Sequence, residues 1–173
     1  MIRLTFLSLF AILMLSSCNS DDSVELIEIP FIIEFEIPAA LNTIEDHFFE
    51  IRNILNPTTQ LLEANGIDES SIVRINPKAV QLLVLFDNTE LSFIQECSIQ
   101  LFSDVVGRES EAFWTNSIPF NAGSDIDVPG TLIDASDFLD QDRINVRVQL
   151  DTREVNSRFI SARMNMTFTV RGN

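Results

Sequence analysis

The sequence has few of the groups that transfer protons or neutralise phosphates. The 173-residue chain has no Tyr, one His and a single Lys, and its 11 Lys and Arg residues stand against 26 Asp and Glu. The formal net charge is -15, which argues against nucleic-acid binding because that function needs basic side chains at the phosphates. With one His and one Lys, the chain has few candidates for acid–base catalysis near neutral pH.

The common catalytic and nucleotide-binding motifs are also absent. The sequence contains no P-loop, GxGxxG, HExxH, CxxC or GxSxG pattern, which removes the usual nucleotide, zinc-protease, redox and hydrolase classes. Hydrophobic residues make up 46% of the chain and charged residues 21%, so the chain is expected to fold. Its length suits one domain with at most a targeting segment.

The N-terminus has the three parts of a secretory signal. Arg3 provides a positive charge, an apolar run extends from Leu4 to Leu15, and two serines follow before Cys18. The apolar run is shorter than the roughly 20 residues that a membrane-spanning helix needs. We therefore expect export rather than a transmembrane anchor.

The end of this signal resembles the lipobox of bacterial lipoproteins, in the stretch Leu15-Ser16-Ser17-Cys18. The resemblance implies that a peptidase cuts before Cys18 and that the Cys18 thiol carries a diacylglycerol, although an ordinary signal that contains a Cys is the alternative. Residues 1–17 would then be a signal peptide and 18–23 a short acidic tether. Only Arg3 among the charged residues is lost, so the mature charge would be -16. The tether would reach less than about 20 Å from the membrane.

The residues after Cys18 suggest which membrane face carries the protein. The stretch Asn19-Ser20-Asp21-Asp22 resembles the acidic signal by which some Gram-negative bacteria send lipoproteins to the outer face of the outer membrane. The resemblance implies an outer-membrane lipoprotein exposed at the cell surface. A periplasm-facing anchor is the alternative.

Period-two alternation dominates the rest of the chain, 24–173, which we expect to be a single β-rich domain. Such alternation is typical of strands with one face in a core and one in water. A continuously apolar stretch instead predicts a central strand covered on both faces. The predicted strands are Phe31–Ile37, Val80–Phe86 (the continuously apolar one), Phe93–Phe102, Ala112–Ile118, Arg143–Asp151 and Phe159–Val170.

One region has helical spacing instead. Ile44, Phe48, Ile51 and Leu55 are four, three and four residues apart. Thr43 with Asp46 resembles a capping box, and Pro57 is expected to end this helix and open a second one, with Asn56 as N-cap and Gly66 at its end. The sequence thus predicts a helical hairpin at about 43–65 in the first crossover of a β-sandwich of about seven strands. The alternative is a lipocalin-like closed barrel.

Few residues are candidates for chemistry, and we predict no catalytic residue, cofactor or metal. Cys97 and His47 are the only thiol–imidazole pair, but Cys97 is expected to be buried and unreactive. Weak calcium candidates are Asn121, Asp125 and Asp127, which lie beside a glycine but without EF-hand spacing. Acidic loops in so negative a protein are normally solvated surface.

The positions of two aromatic residues predict whether their side chains are buried or exposed. Trp114 shares an expected strand face with Ala112 and Ile118, which predicts a place in the core. Phe49 lies off the helical stripe and is expected to be exposed if that helix forms.

These features predict a non-enzymatic binding or interaction module, anchored to the outer membrane through its N-terminal lipid. Its partners would be another envelope protein, a glycan or a host surface, but not nucleic acid. The alternative is a carrier of an apolar small molecule in a Phe-lined cavity.

Overall fold

Two antiparallel four-stranded sheets pack face to face. The computed structural model describes residues 23–86, 88–104 and 107–173, so the predicted signal and Cys18 lie outside the described residues. The strands are β1 (Val24–Ile37), β2 (His47–Leu55), β3 (Ile72–Val84), β4 (Ile94–Ser103), β5 (Arg108–Thr115), β6 (Asp125–Pro129), β7 (Arg143–Thr152) and β8 (Ile160–Gly172). The sheet orders are β1-β8-β3-β6 and β2-β7-β4-β5. The predicted β-sandwich is confirmed.

The closed-barrel alternative is wrong, because the strands form two separate sheets. A single bridge, Phe113 to Gly130, joins β5 to the end of β6. Gly130 is required there, since a Cβ on it would overlap the carbonyl oxygen of Pro77. The sandwich is therefore fastened along one side and open along the other.

The core lies between the sheets, on the inward faces that the alternation defines. Along β8, residues 160, 162, 164, 166, 168 and 170 are all buried, at 2% exposure or less. Phe168 lies near the centre, with its ring 5.6 Å from that of Phe31 and 5.3 Å from that of Phe113, edge to face in both cases. Apolar burial on this scale is the main source of stability for such a domain.

The first limb of the predicted helical hairpin is wrong, because residues 47–55 form strand β2. The register with β7 shifts between Ile51 and Ile54, and Asn53 has a φ of +60°. This bulge inserts extra residues, so Ile51 and Ile54 both pack against the core although they are three apart. A bulged strand can thus reproduce helical spacing. The predicted Thr43–Asp46 box is replaced by a turn in which Asn42 Oδ1 accepts from the N–H groups of Ile44 and Glu45.

The second limb is confirmed as helix α1 (Thr58–Ala64). Asn56 Oδ1 accepts hydrogen bonds from the backbone N–H and the hydroxyl of Thr58. Gly66 follows with a φ of +66°, and the Ile67 N–H donates to the Leu62 carbonyl at 3.0 Å, which satisfies a terminal carbonyl. A 3₁₀ turn at Glu69–Ser71 and helix α2 (Ser136–Leu139) complete the structure. In the described part of the chain, no helix has the length and apolarity to cross a bilayer.

Two further details differ from the sequence prediction. The strand predicted at 80–86 is covered on one face only, since Val80 and Leu82 are buried while Gln81 between them is exposed. Trp114 is 39% exposed on the outer face of its sheet and donates from Nε1 to Glu96. A bulge in β5 makes Ala112 and Phe113 both point inward, which reverses the alternation for Trp114.

Candidate interaction surface

Four connections meet at one end of the sandwich, and each passes from one sheet to the other. They are residues 38–46, 85–93, 116–124 and 153–159, here called the tip loops. Strand β1 runs toward them, because Val24 pairs with the last strand residue Gly172 while Ile37 pairs with Ile160, which starts β8. The N-terminal side of the domain and the tip loops therefore lie at opposite ends, roughly 45 Å apart along fourteen strand residues.

Asn156 ties the first tip loop to the last. It is 5% exposed, and its side-chain oxygen accepts from the Leu41 N–H at 2.8 Å. Its amide nitrogen donates to the carbonyls of Pro38 and Arg158 at 2.7 and 3.0 Å. The Ala40 N–H also donates to the Asn156 carbonyl at 2.8 Å. Loss of a buried hub of this kind would leave several groups without partners.

Arg153 ties the last loop to the two middle loops. Its backbone N–H donates to the Phe93 carbonyl at 2.9 Å, and its Nη2 donates to the Ile118 carbonyl at 2.6 Å. The guanidinium carbon lies 4.1 Å from the centre of the Phe120 ring. Arg153 thus joins three loops through its backbone N–H and its guanidinium, which also supports an aromatic ring on one face.

The two middle loops are also joined directly. The Leu91 N–H donates to the Gly123 carbonyl at 2.8 Å, and the Val84 N–H donates to the Ser124 carbonyl at 2.9 Å. The core beneath the tip loops contains Leu91, Phe93 and Ile118. These hydrogen bonds therefore connect the tip loops into a platform with a fixed geometry.

Large apolar side chains project outward from this platform. Each loop contributes at least one of them. Burial against a partner would remove their apolar surface from water, which is favourable. They are Ile44 (92% exposed), Phe86 (71%), Phe120 (84%), Val155 (60%) and Phe159 (56%). The three phenylalanines alone expose roughly 400 Å² of apolar surface, which is comparable to the largest apolar patch of an ordinary monomer.

Exposed carboxylates surround these side chains. The described parts of the tip loops contain Glu45, Asp46, Glu90 and Glu154, all exposed. Their basic residues are Arg153, which packs on Phe120, and Arg158. The described tip therefore combines an apolar surface with an excess of negative charge.

The structure does not bring Cys97 and His47 into contact. Both align with Leu150 of β7, on opposite sides of it, so about 10 Å of sheet separates their backbones. Burial, with a smaller effect from the neighbouring Glu96 charge, raises the pKa of Cys97 to about 12. His47 Nε2 instead lies 2.8 Å from the Asn42 carbonyl. The geometry around Cys97 therefore does not activate its thiol.

The three calcium candidates are dispersed. Asn121 lies in a tip loop, while Asp125 and Asp127 are exposed on β6 and alternate with buried Ile126. Asp125 accepts a long hydrogen bond from Gln81 at 3.4 Å. Among the residues the structure describes, no three His, Cys, Asp or Glu side chains are grouped to hold a metal ion.

A cleft of about 290 Å³ lies at the opposite end, between α1, β3 and α2, and is lined in part by Asp134, Asp137 and Asp140. Burial raises the pKa of Asp134, but hydrogen bonds from Ser136 and the Ile75 N–H, with the Arg74 charge, outweigh it and lower the pKa overall. Asp134 is thus a structural acceptor that stays ionised, and it orients no proton for transfer.

The exposed apolar residues of the tip loops are not among the site residues predicted from the sequence. One signal was available, since Phe86 and Phe120 each directly precede a turn sequence, Asp87-Asn88 and Asn121-Ala122-Gly123. A phenylalanine at such a position is an unusual turn residue. The sharing of one end by four loops, and the roles of Asn156 and Arg153, depend on the strand order.

No known family model matches this chain, and no curated protein matches it as a relative.

Proposed function

We propose that this chain is a lipid-anchored outer-membrane interaction module that binds a partner through its tip loops. The observation that carries the proposal is the set of exposed apolar side chains on loops that the buried Asn156 and the partly buried Arg153 hold together. A monomer gains nothing in stability from exposing several phenylalanines at one end, whereas a partner that covers them removes apolar surface from water.

The direction of β1 supports the same proposal. The lipobox-like Cys18 precedes Val24 by six residues, and Val24 lies at the end opposite to the tip loops. An anchor at Cys18 would hold that end near the membrane and direct the tip away from it. The acidic stretch after Cys18 favours display at the cell surface, with the periplasm-facing orientation as the alternative.

The carrier alternative has less support. It needs a cavity lined by phenylalanines, but Phe31, Phe113 and Phe168 contact one another in the core. The cleft beside α1 is lined by polar and apolar residues without a phenylalanine, and a cleft between two of the tip loops is lined by a single one, Phe93. We therefore propose no small-molecule ligand.

The anchor is tested by metabolic labelling with a fatty acid in cells that produce the full-length chain. We expect label on the wild type, none on Cys18→Ser, and release of Cys18→Ser from the membrane fraction. Label that persists on Cys18→Ser would reject the lipobox assignment.

Surface display is tested by adding a protease to intact cells. We expect digestion before lysis, with a periplasmic protein as the control that must survive. A chain that resists until the cells are lysed would instead face the periplasm.

A further inference from the structure

We infer that the partner of the tip loops is a protein surface with an apolar centre and a rim of Lys and Arg side chains. This inference rests on the proposed function and specifies its partner. It follows from three observations on the tip: its charge, the preorganisation of its loops, and the contrast with aromatic residues elsewhere on the molecule.

The charge of the tip loops distinguishes between a membrane, a second copy of the chain and another protein as the partner. The described tip loops contain four exposed carboxylates, from Glu45, Asp46, Glu90 and Glu154, against two basic side chains, from Arg153 and Arg158. A membrane surface with anionic head groups would be repelled, and so would the tip of a second copy, which carries the same charges. A basic rim on a protein partner would be attracted and would also accelerate its association.

The preorganisation of the tip favours a protein partner of fixed shape. Asn156 and Arg153 cross-link all four loops through hydrogen bonds, so little conformational entropy remains to be lost on binding. Phe120 stands above Arg153 with its other face open, which is the arrangement of a rigid aromatic anchor that enters a pocket.

Two aromatic residues on the outer face of the second sheet are held by neighbouring charged side chains. Phe102 points outward on β4 but is only 6% exposed, because Arg52 and Arg147 lie 4.8 and 5.0 Å from its ring centre. Trp114 is 39% exposed and donates a 2.8 Å hydrogen bond to Glu96. The tip phenylalanines are 56–84% exposed, and Arg153 covers only one face of Phe120, so the tip offers more aromatic surface than these two positions.

The test is photo-crosslinking of the full-length lipoprotein in intact cells. A photoreactive amino acid replaces Phe120 in one version and Ile32 in the other. Ile32 is a matched control, since it is 70% exposed but lies on the outer face of β1 away from the tip. We expect a discrete adduct with another protein from position 120 and none from position 32.

Two variants then test the chemistry of the partner. Phe86→Ser with Phe159→Ser removes apolar surface, and Glu45→Lys, Glu90→Lys and Glu154→Lys reverse the rim. Each set is expected to lower the adduct yield about tenfold. All these residues are exposed, and an unchanged thermal midpoint of each variant shows that the fold survives. A yield that charge reversal leaves unchanged would overturn the basic-rim assignment.

Other adducts would overturn the inference in distinguishable ways. An adduct of twice the chain's mass identifies a second copy, and an adduct with lipid identifies a membrane as the occupant. A discrete protein adduct from a probe at Trp114 but none from 120 would leave the interaction module standing and reject the tip as its binding surface. Absence of adducts at 120, 32 and 114 alike would reject both.

Discussion

At the scale of single residues, Cys97 shows how burial controls chemistry. Its thiol is fully buried between β7 and β5, and its pKa is raised from an ordinary 9.0 to about 12 by desolvation and the Glu96 charge. In the unfolded chain the same thiol ionises near its ordinary pKa. Folding therefore favours the neutral thiol, and this preference has a measurable dependence on pH.

We predict that the stability of the wild type falls between about pH 9 and 12, because only the unfolded state loses the Cys97 proton in that window. The slope should approach about 1.4 kcal/mol per pH unit relative to Cys97→Val, in which the titrating group is absent. Urea unfolding of both proteins across this range measures the difference. Parallel stability curves, or rapid modification of Cys97 by a thiol reagent in the folded protein, would contradict the prediction.

Asn156 is the residue on which the tip depends most. Asn156→Ala leaves the Leu41 N–H and the Pro38 and Arg158 carbonyls without their partner, so we expect a loss of about 2–3 kcal/mol in unfolding free energy. Asn121→Ala, an exposed change in another tip loop, is the control and should cost less than about 0.5 kcal/mol. Equal losses in the two variants would show that Asn156 is not a hub.

At the scale of elements, two side chains distinguish the strand observed at residues 47–55 from the helix predicted there. Phe49 points inward, with its ring 5.8 Å from that of Phe35, while Phe48 is 56% exposed. We predict that Phe49→Ala costs about 2–3 kcal/mol and Phe48→Ala less than about 1 kcal/mol. A helix would place Phe48 on the apolar stripe, so the reverse order of these losses would contradict the strand. Chemical denaturation of the two variants decides.

The end of β6 lies close to β3 at Gly130. Gly130→Ala places a methyl group against the Pro77 carbonyl, and the backbone must shift, at a cost of about 2–3 kcal/mol. Gly123→Ala has open space around its new methyl group and should change stability by less than about 1 kcal/mol. A pair of thermal melts that shows no difference would contradict the close approach of Gly130 to Pro77.

Elements were predictable from the sequence where alternation runs unbroken. Strands β1, β7 and β8 keep one register over most of their length, and their inward residues were identified correctly. The bulge in β5 changes the facing of the residues beyond it and so misplaced Trp114. The bulge in β2 gives Ile51 and Ile54 a helical spacing, and Phe49 was misplaced because a helix was predicted there. Strand β6 was missed because it has only five residues and two of its outward side chains are aspartates.

At the scale of the whole molecule, the edges and ends of the sandwich have different surfaces. The outer edge of β1 contains Pro30, which has no N–H for a further strand, along with Glu28 and Glu34. Strand β2 is an edge strand of the second sheet, and its bulge interrupts the regular backbone of that edge. Neither of these edges is suited to the addition of a further strand.

The apolar surface of the tip loops could not be predicted from the sequence, although its phenylalanines are visible there. Ile44, Phe86, Phe120, Val155 and Phe159 are separated by up to 115 residues and meet only because four crossovers end at the same side of the sandwich. Strand order, which no local pattern contains, decides that arrangement. The orientation of the N-terminus relative to the tip has the same origin.

We propose that the chain holds its tip loops away from the membrane to which Cys18 would anchor it. Energy transfer tests this in vesicles that contain the native lipoprotein and an acceptor lipid, with a dye on Phe120→Cys or Leu132→Cys. The wild type provides the background, since Cys97 is buried. Leu132 is 99% exposed and borders a cleft with Glu25, at the start of β1. We predict several-fold stronger transfer from position 132, because the tip stands roughly 45 Å farther out. Equal transfer from both positions, or stronger transfer from 120, would contradict the account.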